Sequence, residues 1–316
     1  MEEFRLTTPV TFIIFNRPDT TQKVFDAIRL AKPEKLLLIA DGPRDGRPGE
    51  REKCEQTRKI VENIDWECEV LRNYSDINMG CKKRVSSGLN WVFENVEESI
   101  ILEDDCLPDP SFFRYCQELL EKYRDDERVM VISGDNMLFE KNMQEHSYYF
   151  TKYVHIWGWA TWRRAWKLYD VNIELWPKAN EKGLLLGIVD KLELYQWKNN
   201  LNSVYAENFD TWDYQWVFSI WMQSGLSIAP GKNLISNIGF NQDATHTHGA
   251  SIYSNMQTEP LTFPLKHPPY IIRDIQNDKI ESRICYKDSK YLWLGPFVPY
   301  LRRVKRMMQK LIGMNR

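Results

Sequence analysis

Five short apolar runs alternate with amphipathic stretches in the first half of the chain: P-V-T-F-I-I-F near 9 to 15, K-L-L-L-I-A at 35 to 40, E-C-E-V-L at 67 to 71, S-I-I-L at 99 to 102 and V-M-V-I-S at 129 to 133. Continuous apolar runs of this length read as strands covered on both faces. The intervening stretches carry helical periodicity. From Asn78 to Val96 the positions Cys81, Val85, Leu89, Val92, Phe93 and Val96 form one stripe at spacings of three and four. The next helix is punctuated by Asp109 as a cap and Pro110 at the first helical position, followed by Phe112, Cys116, Leu119, Leu120 and Tyr123. Strand alternating with helix predicts an α/β fold: a mostly parallel sheet flanked by helices, with right-handed crossovers.

The second half changes character. W-G-W-A-T-W-R-R-A-W at 157 to 166 and T-W-D-Y-Q-W-V-F-S-I-W at 211 to 221 are tryptophan-rich, and L-S-I-A-P near 226 to 230 reads as a short strand. This region is expected to cover one end of the sheet and shape a pocket. Beyond about 250 the pattern weakens, and the prolines of P-L-K-H-P-P-Y suggest an extended segment. A length of 316 residues suits one α/β domain of about 250 residues with an appendage.

Composition narrows the classes. Hydrophobic residues at 43% and charged residues at 27% are those of an ordinary globular chain. A formal net charge of -2 gives no global attraction to nucleic acid or to an anionic bilayer, so no nucleic-acid partner is expected. The six cysteines show no C-x-x-C spacing and no compact framework, pointing to a reducing compartment. The acidic, polar start M-E-E-F-R-L-T-T-P does not resemble a signal peptide, and no apolar stretch approaches the roughly 18 residues of a spanning helix. The expectation is a cytoplasmic protein without a transmembrane anchor.

The strongest chemical signal is E-D-D at 103 to 105, placed directly after the run S-I-I-L. In a parallel sheet the carboxyl ends of strands open onto the ligand crevice, so three adjacent acids there meet whatever is bound. Their mutual repulsion is relieved by a divalent cation with oxygen ligands, and the same ion can bridge a diphosphate. The plain alternative is a solvated acidic turn. The first strand ends in Phe15, Asn16 and Arg17 and the second in Asp41, Gly42, Pro43 and Arg44. Asp41 can accept from a base N–H and Arg17 can bridge phosphate oxygens, although D-G-P-R also suits an ordinary turn.

Taken in order, P-V-T-F-I-I-F-N-R-P, I-A-D-G-P-R, I-I-L-E-D-D-C-L-P-D-P-S-F-F-R-Y, W-G-W-A and W-D-Y-Q-W resemble the GT-A glycosyltransferases of the N-acetylglucosaminyltransferase I group. The resemblance spans roughly residues 9 to 250 and implies a Rossmann-like nucleotide-sugar lobe at 1–135, an acceptor-binding lobe of the same catalytic domain at 136–250, and a C-terminal extension at 251–316. It implies an inverting hexosyl- or N-acetylhexosaminyltransferase of polysaccharide biosynthesis. Its donor is a nucleotide diphosphate sugar, a UDP-sugar favoured, and its acceptor a glycan or a lipid-linked sugar. Asp105 would coordinate Mn2+ or Mg2+, Asp104 would sit against the ribose or a metal-bound water, and Glu103 would face the donor sugar. Asp213 aligns with the W-D acid and would be the general base, with Asp210 as its alternative. Lys82, Lys83 and Arg84 open the helix before the acidic strand, and Lys83 is the candidate contact to the donor; a solvated first turn is the other reading. His246 and His248 in A-T-H-T-H-G point the same way if extended, and His246 is a candidate metal ligand. Among Trp157, Trp159 and Trp162, at least one is expected at a sugar and most in the core.

The tail from Tyr291 places Leu301, Val304, Met307, Met308, Leu311 and Ile312 at helical spacing against a basic opposite face. It reads as an interfacial helix in peripheral contact with the inner face of a membrane, or as a helix packed on the protein. Two rival functions remain. A sugar nucleotidyltransferase needs a glycine-rich basic loop after its first strand, which F-N-R-P-D-T-T lacks. A non-catalytic carbohydrate- or nucleotide-sugar-binding protein would keep the fold without turnover.

Overall fold

The computed structural model describes residues 4–139, 145–240 and 253–286. The first half runs β1 (Val10–Ile14), α1 (Pro18–Ala31), β2 (Lys35–Ala40), α2 (Glu50–Val61), β3 (Glu69–Tyr74), α3 (Cys81–Asn95), β4 (Glu98–Glu103), β5 (Cys106–Pro108), α4 (Ser111–Lys122) and β6 (Val129–Ser133). The second half runs β7 (Tyr148–Thr151), β8 (Trp159–Trp162), α5 (Arg163–Trp166), α6 (Trp176–Glu181), α7 (Lys191–Tyr205), α8 (Asp213–Met222), β9 (Leu226–Pro230), β10 (Ile235–Asn237) and α9 (Ile275–Cys285).

Eight strands form one sheet in the order β3-β2-β1-β4-β8-β6-β9-β7, and β5 pairs with β10 in a small ribbon. β1 lies parallel to β2 and β4, β2 to β3, and β6 to β9, whereas β8 is antiparallel to both of its neighbours and β7 to β9. The two antiparallel steps through β8 leave β6 running with β4. The carboxyl ends of β1, β2, β3, β4, β6 and β9 therefore share one edge. This is the mostly parallel, helix-flanked α/β sheet that the alternation of strand and helix predicts.

Side chains of β1 and β2 are buried on both faces, as their continuous apolar runs require. Val10, Phe12, Ile14, Leu36, Leu38, Ile100 and Leu102 pack with α1, α2 and α4 in one core. The alternate residues Ile13, Leu37, Ile39 and Ile101 pack with α3 and α5 to α8 in the other. The period of two thus divides each strand between two cores.

The tryptophan-rich motif takes a different place from the expected cover. Trp159–Trp162 is β8, inserted between β4 and β6 in the middle of the main sheet, and it continues the same two cores. Trp159 stacks on Trp212 at 5.6 Å between centroids, and Trp166 packs on Trp216 at 5.0 Å. The second half of the chain is thereby welded to the first through backbone hydrogen bonds as well as side chains. Near α4, Pro110 sits just before the first helical residue rather than at it. Asp109 Oδ1 accepts from the Ser111 N–H at 2.9 Å and from its hydroxyl at 2.6 Å.

Candidate active site

The apolar centre of β4 is fully buried and fixes where the chain turns outward, so Glu103, Asp104 and Asp105 emerge together at the carboxyl edge. Ile13 of β1 is in register with Glu103, which brings the end of β1 alongside. The Phe15 N–H donates to Asp104 Oδ2 at 3.0 Å. Arg17 donates to Asp105 Oδ2 at 2.6 Å, and its Nη1 lies 3.9 Å from Asp104 Oδ1. A guanidinium thus partly neutralises the acids.

That neutralisation is incomplete. Burial, reinforced by Asp105, Asp104 and Asp213, pushes the Glu103 carboxyl up to about 8. Burial and Asp105 push Asp104 up to about 7, against the opposing pull of Arg17 and the Phe15 N–H. Buried Glu103 Oε1 has no hydrogen-bond partner. A buried acid pushed up in this way gains from a further cation or from a donor group on a ligand. The donor set is all oxygen, which suits Mg2+ or Mn2+. Among the described residues no three His, Cys, Asp or Glu side chains converge into a metal-holding group. A cation at Asp105 therefore needs ligands beyond these side chains, such as diphosphate oxygens and water.

Asp213 opens α8 from the second half of the chain, held by a hydrogen bond from the Thr211 hydroxyl. Its charge acts on Glu103, and together with Glu103, Asp210 and Asp41 it acts on the half-buried Cys81 thiol, whose pKa is raised first of all by desolvation. Four acids from three separate segments therefore surround the start of α3. Asp210 has a structural task there: its carboxylate accepts from the Cys81 and Lys82 N–H groups, each at 3.0 Å, and so caps α3. Gly80 makes room for this cap, since a Cβ there would lie 2.8 Å from Asp210 Oδ2.

Asp41 is committed inside the protein. It accepts from the Gly42 N–H at 2.9 Å, the Met79 N–H at 2.9 Å and the Asn78 amide at 3.0 Å, tying the loop before α3 to the end of β2. Asn16 donates to Glu50 at 2.9 Å, and Arg44 forms a forked pair with Glu50 while lying over the Phe15 ring. Lys83 is exposed on α3, whereas the next residue, Arg84, is buried and donates to the Asn73 backbone and side chain. His246 and His248, and the tail from Tyr291, lie outside the described residues. Gly239 closes over Asp105: Ile238 N–H donates to the Asp105 carbonyl at 2.8 Å, and a Cβ on Gly239 would fall 2.0 Å from Asp105 Oδ2.

Sequence reasoning missed Glu50, the capping role of Asp210, and a second buried ionic group at the end of β6. There His155 Nε2 is hydrogen-bonded to Glu281 at 2.7 Å, and its Nδ1 lies 3.5 Å from Asp135. The signal was present in V-M-V-I-S-G-D, an acid after a buried run at the same sheet edge as I-I-L-E-D-D.

No family model matches the chain, and no curated protein matches it at a significant level. Partial similarity extends to several solved structures. A mannosyltransferase from Pyrobaculum calidifontis in complex with GDP-Man and Mn2+ aligns with 14% identity and a TM-score of 0.34, over 51% of this chain and 46% of its own. Galactosyltransferase LgtC, in complex with donor and acceptor sugar analogues, aligns with 8% identity and a TM-score of 0.35, over 67% and 70% respectively. UDP-glucose pyrophosphorylase complexed with UDP-glucose aligns with 10% identity and a TM-score of 0.31, over 51% and 79%. The chain spans less than half the length of the mannosyltransferase.

Proposed function

We propose that the protein is a glycosyltransferase that moves a sugar from a nucleotide diphosphate donor, a UDP-sugar favoured, to a glycan or lipid-linked acceptor by a single inverting displacement. The observation that carries this reading is the buried, only partly neutralised acid group at the carboxyl edge, with Arg17 beside it and Asp213 acting on it from a different segment. Phe15, Asn16 and the loop held by Asp41 form the nucleotide side. Arg17 meets the diphosphate, and Asp105 would hold Mn2+ or Mg2+, with His246 as a further ligand. Such a cation would offset the charge that develops on the departing diphosphate.

Glu103 and Asp104 orient the donor sugar and ribose, and Lys83 offers a long, mobile charge at the rim. Asp213 takes the proton from the acceptor hydroxyl, because an inverting reaction needs its base on the face away from the leaving group. The basic tail is assigned to peripheral contact with an anionic membrane face; among the described residues no helix is long and apolar enough to cross one.

Calorimetry with UDP and GDP tests the donor site. Binding should require Mn2+ or Mg2+ and vanish in Asp105→Ala, while Asp109→Ala should lose only a helix-capping contact worth about 1 kcal/mol of stability. Equal nucleotide affinity with and without chelator would remove the proposed site.

A further inference from the structure

A row of four half-buried aromatic rings leads away from the acids. Phe240 follows Gly239, which lies against Asp105. Phe240 packs edge-on to Trp157 with centroids 5.7 Å apart, Trp157 meets Tyr253 at 6.5 Å, and Tyr253 meets Phe139 at 5.7 Å. Phe139 borders a cavity of about 800 Å³ whose wall includes Asn233, Asn255, Gln257 and Lys266.

Backbone bonds fix this cavity relative to the acids. The Asn255 N–H donates to the Asn237 carbonyl at 3.0 Å, and the Glu259 N–H to the Asn233 carbonyl at 2.9 Å. From Asn233 in the cavity wall the chain passes through β10 to Ile238, which is bonded to Asp105. Five residues of extended chain cover on the order of 16 Å. Cavity and acids thus lie at opposite ends of one short strand, joined by rings.

The rings are placed for contact rather than for packing alone. Trp159, Trp162, Trp166, Trp212 and Trp216 are buried, but Trp157 stays partly open, separated from Trp159 by Gly158 at φ +63°. A Cβ at Gly158 would lie 2.4 Å from Ile235 Cδ1, so the chain crosses β10 there by close approach. Phe139 and Asn255, at the two sides of the cavity, hold left-handed backbone angles of +47° and +52°. Such a conformation is strained for a bulky aromatic residue and is found where the surroundings over-determine a site.

A sugar ring offers an apolar C–H face and a rim of hydroxyls. Half-buried aromatic faces complement the first, and side-chain amides, each donor and acceptor, complement the second. Charge selects no anion, since Lys232 and Lys266 are matched by Glu145 and Glu259, with Lys232 and Glu259 paired at 3.0 Å. We propose that the aromatic row and the cavity hold an extended neutral oligosaccharide, its reacting end at the acids and its remaining units running past Trp157 to Phe139. This rests on the glycosyltransferase reading of the acids, and it adds that the acceptor is recognised along several sugar units.

The test is calorimetry of the full chain with glucose, mannose and N-acetylglucosamine oligomers, disaccharide to hexasaccharide, with and without UDP or GDP and Mn2+. One series should gain about tenfold in affinity from disaccharide to hexasaccharide. Phe139→Ala should bring the hexasaccharide to the disaccharide value and leave the disaccharide unchanged, and Phe139→Tyr should restore the gain; melting curves verify that both variants fold. Length-independent binding, no binding in any series, or equal weakening of both lengths in Phe139→Ala would overturn the inference. Nucleotide–metal binding without any oligosaccharide response would sink this inference alone, whereas length-dependent oligosaccharide binding with no nucleotide binding would remove the donor reading and leave the groove.

Discussion

Asp213 is where the proposed chemistry is most exposed to a single experiment. Asp213→Asn keeps the shape and the Thr211 contact but removes the proton-accepting charge, so turnover should fall by roughly a hundredfold or more while nucleotide affinity holds. Full activity would exclude Asp213 as the base and direct attention to Glu207, because the Asp210 carboxylate is occupied as a cap. A product that retains the donor's anomeric configuration would exclude the single displacement. At this scale the sequence was legible wherever a residue's position followed from strand geometry: E-D-D had to surface where β4 ended. It was illegible wherever helix phase decides. Lys82, Lys83 and Arg84 are chemically alike, yet successive helical residues turn by 100°, so one is exposed, one half-buried and one buried. Asp41 resembled a free ligand group because nothing in D-G-P-R shows that Asn78 and Met79 return to saturate it.

Whole elements are held to the site by polar devices. Gly239→Ala should displace the segment after β10 from Asp105, since its Cβ has no space beside the carboxylate; metal-dependent nucleotide binding should fall, measurable by the same calorimetry, with little change in melting temperature. Helix α9 docks through buried Asn277, Asp278, Glu281 and Ser282 rather than through an apolar stripe. Burial alone would lower the His155 pKa, but Glu281 and Asp135 outweigh it and push it up to about 10. The unfolded chain releases that proton near pH 6.5, so the folded state binds the extra proton between about 6.5 and 10. The stability this site contributes is complete below about 6.5 and is lost as pH rises through about 10. Thermal melts should therefore decline over that window, and His155→Gln should flatten the decline; an unchanged slope would refute the pairing. Helices with apolar stripes, α3 and α4, were readable from spacing, whereas α9 was not, because its buried acids answer to Thr151 and His155, more than a hundred residues away in sequence.

For the molecule as a whole, the two cores lie on opposite faces of one sheet and share its strands. Urea unfolding followed by tryptophan fluorescence and by far-ultraviolet circular dichroism should give coincident single transitions, since neither half can lose its packing without exposing the other. Two separated transitions would show that the second half folds independently. The position of β8 carries a further consequence for how the chain is made. During synthesis β4 emerges from the ribosome some sixty residues before the strand that covers its free side, and β6 also precedes that strand. Until Trp159–Trp162 arrives, a nascent chain holding β1 to β4 presents an unpaired hydrogen-bonding edge at the centre of the future sheet. Polypeptides halted within that interval should be the ones that aggregate or recruit chaperones, and release should coincide with exposure of residue 162 beyond the exit tunnel.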